Sequence, residues 1–199
     1  MKRCGRPLKK DNPEENKEKI ILAAIALIET YGADYVTVRR VCEKAELSTG
    51  TFYYHFSNKD DLMMHFVRET SFENIKLHAP DITERITELY MHLIKRYASL
   101  GIKFMKSFYT ADNQALHVYM GEFDGKFATE TIMARCEQEL AEAQKNGQIK
   151  SDADIHSLSA DICTIVKGCI FEWCLSEGKT DIEVTFGRIL RLFLNTARI

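Results

Sequence analysis

Proline is scarce in this chain, three in 199 residues, and glycine numbers ten, so little interrupts helical structure. No apolar run approaches the roughly 20 residues that a membrane-spanning helix needs, which argues against a bilayer partner. No two of the cysteines (Cys4, Cys42, Cys136, Cys163, Cys169, Cys174) have the CxxC spacing of a metal ribbon, and they lie scattered through helical patterns. A disulfide framework belongs to short secreted chains, so reduced thiols used as small core residues are expected here. GxGxxG, P-loop, GxSxG and HExxH motifs are all missing, leaving catalysis, a cofactor and a metal without a motif. The opening MKRCGRPLKKDNPEEN has basic residues but no apolar segment after them. No secretory signal is therefore expected, and the cytoplasm is the expected location.

What is present suits a folded domain or two: 45% apolar and 28% charged residues. The net charge of −2 excludes a uniformly basic nucleic-acid binder but hides an asymmetry. Lys2, Arg3, Arg6, Lys9 and Lys10 lie in the first ten residues with no acid among them. Such a segment is either an arm lying on phosphate or a solubilising tail. Within it, Gly5, Arg6 and Pro7 resemble the core of an AT-hook, whose Arg enters a narrow minor groove.

Apolar residues recur at spacings of three and four, so the chain reads as all-α with about nine helices. Asn12, Pro13 and Glu15 form a helix start, Gly32 an end, and Ile20, Ala24, Leu27, Ile28 and Tyr31 the buried stripe between. Two short helices follow, 38–45 and 49–55, with Thr37 and Ser48 as N-caps. A fourth starts after Asn58, carries Leu62, Phe66 and Val67 inward, and runs to about Lys76 before the break at Pro80. This divides the chain into a basic arm (1–13), a head (14–74) and a C-terminal domain (75–199).

The sharpest signal is TVRRVCEKAELSTGTFYYHFSNKDDL, from Thr37 to Leu62. Two short capped helices around the turn Glu46, Leu47, Ser48 make a helix-turn-helix over residues 37–56, whose second helix enters a major groove. Val38, Val41, Cys42 and Ala45 form the inner face, Leu47 plugs the turn, and Phe52 and Phe56 anchor the second helix. Thr49, Thr51, Tyr53, Tyr54 and His55 are left on or near the outer face, where exposed aromatics are unfavourable unless covered. Gly50 costs about 1 kcal/mol against Ala in a helix, which suggests close approach by neighbouring backbone or DNA.

This run resembles the signature of the TetR family of bacterial regulators, over about residues 14–74. The resemblance implies a three-helix head joined by a fourth helix to a C-terminal domain that dimerises and binds a small effector. It also implies roles: Thr49, Thr51 and Tyr53 near base edges, Tyr54 and His55 on phosphates, and Lys59 gripping the DNA backbone at a helix N-terminus. Thr37, Arg39, Ser48 and Gly50 belong to the same surface, and Arg6 to the arm. Arg39 and Arg40 are either phosphate contacts or plain solvated surface. Glu46 departs from the family pattern, where many members carry Gly at a left-handed turn, at a cost of about 1 kcal/mol or less.

After Pro80 the helices lengthen. Ile82, Ile86, Leu89, Leu93, Tyr97 and Leu100 form one stripe closed by Gly101; a looser stretch holds Gly121 and Gly125, and a helix is expected over 126–145. No strand alternation stands out. The last two helices, 155–175 and one opened by a Thr180/Glu183 capping box, are apolar over much of their surface, as a contact with a second copy requires. Ile155, Ile162, Val166, Gly168, Phe186, Ile189 and Phe193 are the expected contact residues of a four-helix bundle. Phe66, Tyr90, Tyr97, Met105, Phe108, Tyr109 and Trp173 are candidates for an effector site, though for each alone core packing is the simpler reading. Asp152 and His156 share a helix face, but two side chains do not make a metal site. The sequence thus points to a dimeric regulator of a palindromic DNA operator, a repressor released by an unidentified effector. An activator, or a ligand-independent architectural or cell-cycle protein, fits the same head.

Overall fold

The structure, a computed structural model, describes residues 12–68, 72 and 75–198. Arg6, the Gly-Arg-Pro segment and the other basic residues of the arm lie outside the described residues. The described residues form ten α-helices, a 3₁₀ turn and one small hairpin, in two compact units that divide after Leu62.

The first unit contains α1 (Pro13–Tyr31), the 3₁₀ turn Ala33–Tyr35, α2 (Val38–Ala45), α3 (Thr49–His55) and the first turn of α4 (Lys59–Arg68). Ile20, Ala24 and Leu27 of α1 are buried as their spacing demands. Tyr31, expected in that stripe, is exposed and instead packs at a tilt against Tyr35 with ring centroids 4.4 Å apart. Asn12 precedes α1 in extended backbone, but its side chain makes no cap hydrogen bond. Glu15, expected in a capping box, pairs with Lys19 at 2.7 Å.

The second unit holds α5 (Ile82–Leu100), α6 (Ile102–Phe108), α7 (Gln114–Tyr119), α8 (Ile132–Lys145), α9 (Ile155–Leu175) and α10 (Ile182–Leu194). Helices α5, α8, α9 and α10 pack on one another around Leu89, Tyr90, Ile162, Val166, Phe186 and Leu190, all with essentially no exposure. Several sequence expectations are corrected here. Helix α4 ends at Arg68 among the described residues, and Ile75 and Lys76 are not helical. Residues 75–80 lie along α5 instead: Glu88 accepts from the backbone N–H of His78 and Ala79, while Arg85 donates to the carbonyls of Leu77 and Ala79.

The helix expected from 126 starts at Ile132, capped by Thr131. Before it, β1 (Glu122–Phe123) and β2 (Lys126–Phe127) pair antiparallel. Asp124 and Gly125 both take positive φ at the hairpin's two central positions, the Asp-Gly turn that favours such a connection. Strands of two residues are too short to show alternation. The cap of α10 is Asp181, whose carboxylate accepts from Val184 N–H, so the Thr180/Glu183 box does not form.

Candidate nucleic-acid interface

Two caps set the geometry of the helix-turn-helix. Thr37 Oγ1 accepts from Arg40 N–H at 3.3 Å and starts α2; Ser48 Oγ accepts from Thr51 N–H at 3.0 Å and starts α3. Between them Glu46 adopts φ 55° and ψ 40°, the left-handed conformation that its position in the turn requires. Val41, Cys42, Phe52 and Phe56 are buried, whereas Val38, Ala45 and Leu47 are half-buried. A phenylalanine buried this fully is worth roughly 1.5–3 kcal/mol, enough for Phe52 to seat a seven-residue helix that could not stand alone.

Anchoring by Phe52 and Phe56 turns the rest of α3 outward. Tyr53 is 57% and Tyr54 75% exposed, with Thr49 and Gly50 exposed beside them and His55 half-buried. Thr51 is half-buried, its hydroxyl 2.9 Å from that of Ser48, so it braces the cap. A Cβ added at Gly50 would meet only Ser48 Oγ, at 3.6 Å. No protein backbone crowds Gly50.

The basic side chains around α3 have partners. Arg39 is highly exposed and pairs with Glu43 at 2.8 Å. Arg40 donates from Nη1 to the Tyr35 carbonyl at 3.1 Å and lies over the Tyr35 ring at 3.7 Å, an arrangement the spacing did not announce. Lys59, half-buried, donates to the Ala33 carbonyl at 3.3 Å. At the same helix start, Asn58 accepts from Asp61 N–H and the Asp61 carboxylate accepts from Ser57 N–H.

This architecture has relatives. The family described as bacterial regulatory proteins, tetR family, matches residues 20–65, which span α1 to α4. Residues 20–65 therefore carry a DNA-binding domain of the tetR family type. The fatty acid metabolism regulator protein of Bacillus subtilis (strain 168) is 22% identical over 193 residues, covering 89% of this chain and 93% of that protein. Among solved structures, FadR of Thermus thermophilus, a TetR-family repressor crystallised with lauroyl-CoA, matches with a TM-score of 0.67 at 16% identity, covering 89% of this chain and 93% of that one. The fatty acid degradation regulator FadR of Bacillus halodurans matches with a TM-score of 0.60 at 20% identity, covering 94% and 97%. At these identities the structural likeness concerns the fold.

In the second unit most candidate effector residues are core. Phe66, Tyr90, Tyr97, Met105 and Phe108 are buried; Phe66 meets Phe104 edge-on at 6.2 Å and Tyr90 meets Phe186 at 5.3 Å. Tyr109 and Trp173 are half-buried. The hydroxyls of Tyr90 and Tyr97 are buried without a hydrogen bond of ordinary geometry, though that of Tyr90 lies beside the Cys136 thiol. Burial pushes the Cys136 thiol up to about 12, and Cys42, Cys163, Cys169 and Cys174 rise for the same reason. These five are free, buried thiols; Cys4 lies outside the described residues.

The expected contact residues of the last two helices also divide. Ile162, Val166 and Phe186 are wholly buried within the unit and cannot present an outer face. Ile155, Ile189 and Phe193 are half-buried and Gly168 is exposed. The outer faces carry Phe171 and Leu175 on α9 and Val184 and Leu192 on α10, each more than half exposed. Three of the seven expected contact residues, Ile162, Val166 and Phe186, thus belong to the inner side, because both sides of these helices are apolar. His156 meets Glu137 through Nδ1 at 2.9 Å and faces Glu122 through Nε2 at 3.3 Å, with its ring stacked on Phe127. Asp152 takes no part. Among the described residues no helix is long and apolar enough to cross a membrane, and no group of three or more His, Cys, Asp or Glu is placed to hold a metal.

Proposed function

We propose that this chain is a repressor that binds a palindromic operator as a homodimer and is released by a small effector of the fatty-acyl class bound in its second unit. The observation that carries the DNA-binding half is α3, with Tyr53, Tyr54, Thr49 and Gly50 exposed on a helix whose back is locked by Phe52 and Phe56. A single seven-residue helix reads only a few base edges, so two heads on a symmetric site supply the specificity one lacks. The dimer is supported by Phe171, Leu175, Val184 and Leu192, apolar residues exposed on two helices that pack against each other. The effector class rests on the lauroyl-CoA complex of the Thermus relative and on the fatty-acid regulators to which the chain is similar.

A ligand-independent architectural role is favoured by one observation, the filling of the second unit's interior by wholly buried Tyr90, Tyr97 and Met105. Selection of bound sequences from random DNA, followed by titration of the selected duplex with lauroyl-CoA, separates the two. The repressor reading requires a palindromic site and a fall in operator affinity on addition of the thioester. If no acyl compound changes affinity for the selected site, the architectural reading stands instead.

A further inference from the structure

Arg39 and Arg40 are consecutive residues of α2 and look alike in the sequence, yet the structure gives them opposite surroundings. A step of one residue turns a helical side chain by about 100°, so the two stand on different flanks of the helix's outer half. Arg39 is 86% exposed and shares its flank with Glu43, whose carboxylate takes up its charge at 2.8 Å. Arg40 is half-buried, and the residue one turn on along its own flank is Lys44. Among the described residues no carboxylate pairs with Arg40.

Neutral groups hold it instead. The Arg40 guanidinium carbon lies 3.7 Å from the centre of the Tyr35 ring, and Nη1 donates to the Tyr35 carbonyl at 3.1 Å. Tyr35 in turn packs at a tilt against Tyr31, so the end of α1, the 3₁₀ turn and the first turn of α2 are joined through these three side chains. A ring and a carbonyl fix a guanidinium without cancelling its charge, and one of its five N–H donors is spent here. A side chain already held in place also loses less freedom when it bonds again. Lys59 reaches the same turn from α4, donating to the Ala33 carbonyl at 3.3 Å. Two cations are thus held at the two ends of one three-residue turn by carbonyl oxygens.

A helix-turn-helix lays its second helix in the major groove while its first crosses the sugar–phosphate backbone, so the outer half of α2 meets phosphate. The planar fork of a guanidinium matches two phosphate oxygens. We propose that Arg40, seated on Tyr35, grips a phosphate of the DNA backbone beside the groove that α3 enters, with Tyr35 as its positioning residue. This rests on the DNA-binding reading above and adds which cation of α2 supplies the contact and what aims it.

The full-length protein is titrated, at several salt concentrations, with the duplex it selects from random DNA and with a mixed-sequence duplex of equal length. A phosphate contact carries no sequence information, so Arg40→Met weakens binding to both duplexes about tenfold. It also lowers the slope of log affinity against log salt by about one unit for each head bound. Tyr35→Leu, which leaves the charge and removes its seat, weakens both about threefold with the slope kept, and Tyr35→Phe restores them. Unfolding removes active protein without changing how many phosphates the folded remainder neutralises, so the slope reads the contact even where a variant is less stable. An unchanged slope in Arg40→Met overturns the proposal. So does a loss confined to the selected duplex, which belongs to a base contact, or Tyr35→Leu binding like wild type. In each of those cases the wild type still binds its selected site and the DNA-binding reading stands; a wild type that binds neither duplex removes that reading and this one together.

Discussion

The Lys59 ammonium donates to the Ala33 carbonyl at 3.3 Å, tying the first turn of α4 to the 3₁₀ turn inside the DNA-binding unit. A group expected to grip phosphate therefore also has a structural job. An ammonium has three donors, so one bond to Ala33 leaves two for DNA. Lys59→Met is expected to lower head stability by about 1.5 kcal/mol and the slope of log affinity against log salt by about one unit. Both are read by thermal melting and by operator titration at several salt concentrations. A loss of stability with an unchanged salt slope means that Lys59 is structural only.

Gly50 offers a cleaner separation of folding from binding. Its Cβ position is open except for Ser48 Oγ at 3.6 Å, so Gly50→Ala meets no clash and gains up to about 1 kcal/mol from helix propensity. Operator affinity is expected to fall about tenfold because the added methyl stands where DNA backbone or base edges approach. A variant that melts higher and still binds DNA like wild type removes Gly50 from the interface.

Leu192 tests the outer face of α10. It is 63% exposed, so Leu192→Arg leaves the core of the unit untouched. At micromolar concentration the wild type is expected to sediment as a dimer and the variant as a monomer that binds a single half-site weakly. A monomeric wild type, or a variant that remains dimeric, counts against the α9/α10 contact.

His156 and Glu88 make the second unit's stability depend on pH in opposite directions. The Glu137 hydrogen bond is the main cause that raises His156 above its ordinary value, with Glu122 adding to it and burial opposing; Asp154 also lies close enough to feel the charge. A raised histidine contributes fully below its unfolded value near 6.5 and loses that contribution as pH climbs through the folded value. The stability gap between wild type and His156→Gln is therefore expected to be widest at pH 6 and to close in alkaline buffer. The His78 and Ala79 N–H groups hold Glu88 at about 2, against an ordinary 4.5, so Glu88→Gln costs stability above pH 4.5 and progressively less below it. Denaturant melts across pH check both; a gap that does not vary with pH removes the charge argument.

What the sequence determined by itself is local. The caps Thr37 and Ser48 and the buried anchors Phe52 and Phe56 were legible because a helix start and a 3.6-residue stripe are written within a few neighbouring residues, whereas the left-handed turn at Glu46 was implied only by the family resemblance. The Asp124–Gly125 turn was written locally too and was overlooked, because the strands it joins are only two residues long.

The tertiary structure alone decided which of two apolar faces turns inward. Helices α9 and α10 are apolar on both sides, so periodicity could not tell Val166 and Phe186, which are buried, from Phe171 and Leu192, which are not. Only packing against α5 and α8 selects the inner face. The same holds for partners distant in the chain: Lys59 and Ala33, His156 between Glu122 and Glu137, Lys167 and Met120. A side chain's charge is visible in the sequence, but whether it is neutralised depends on which segments fold beside it.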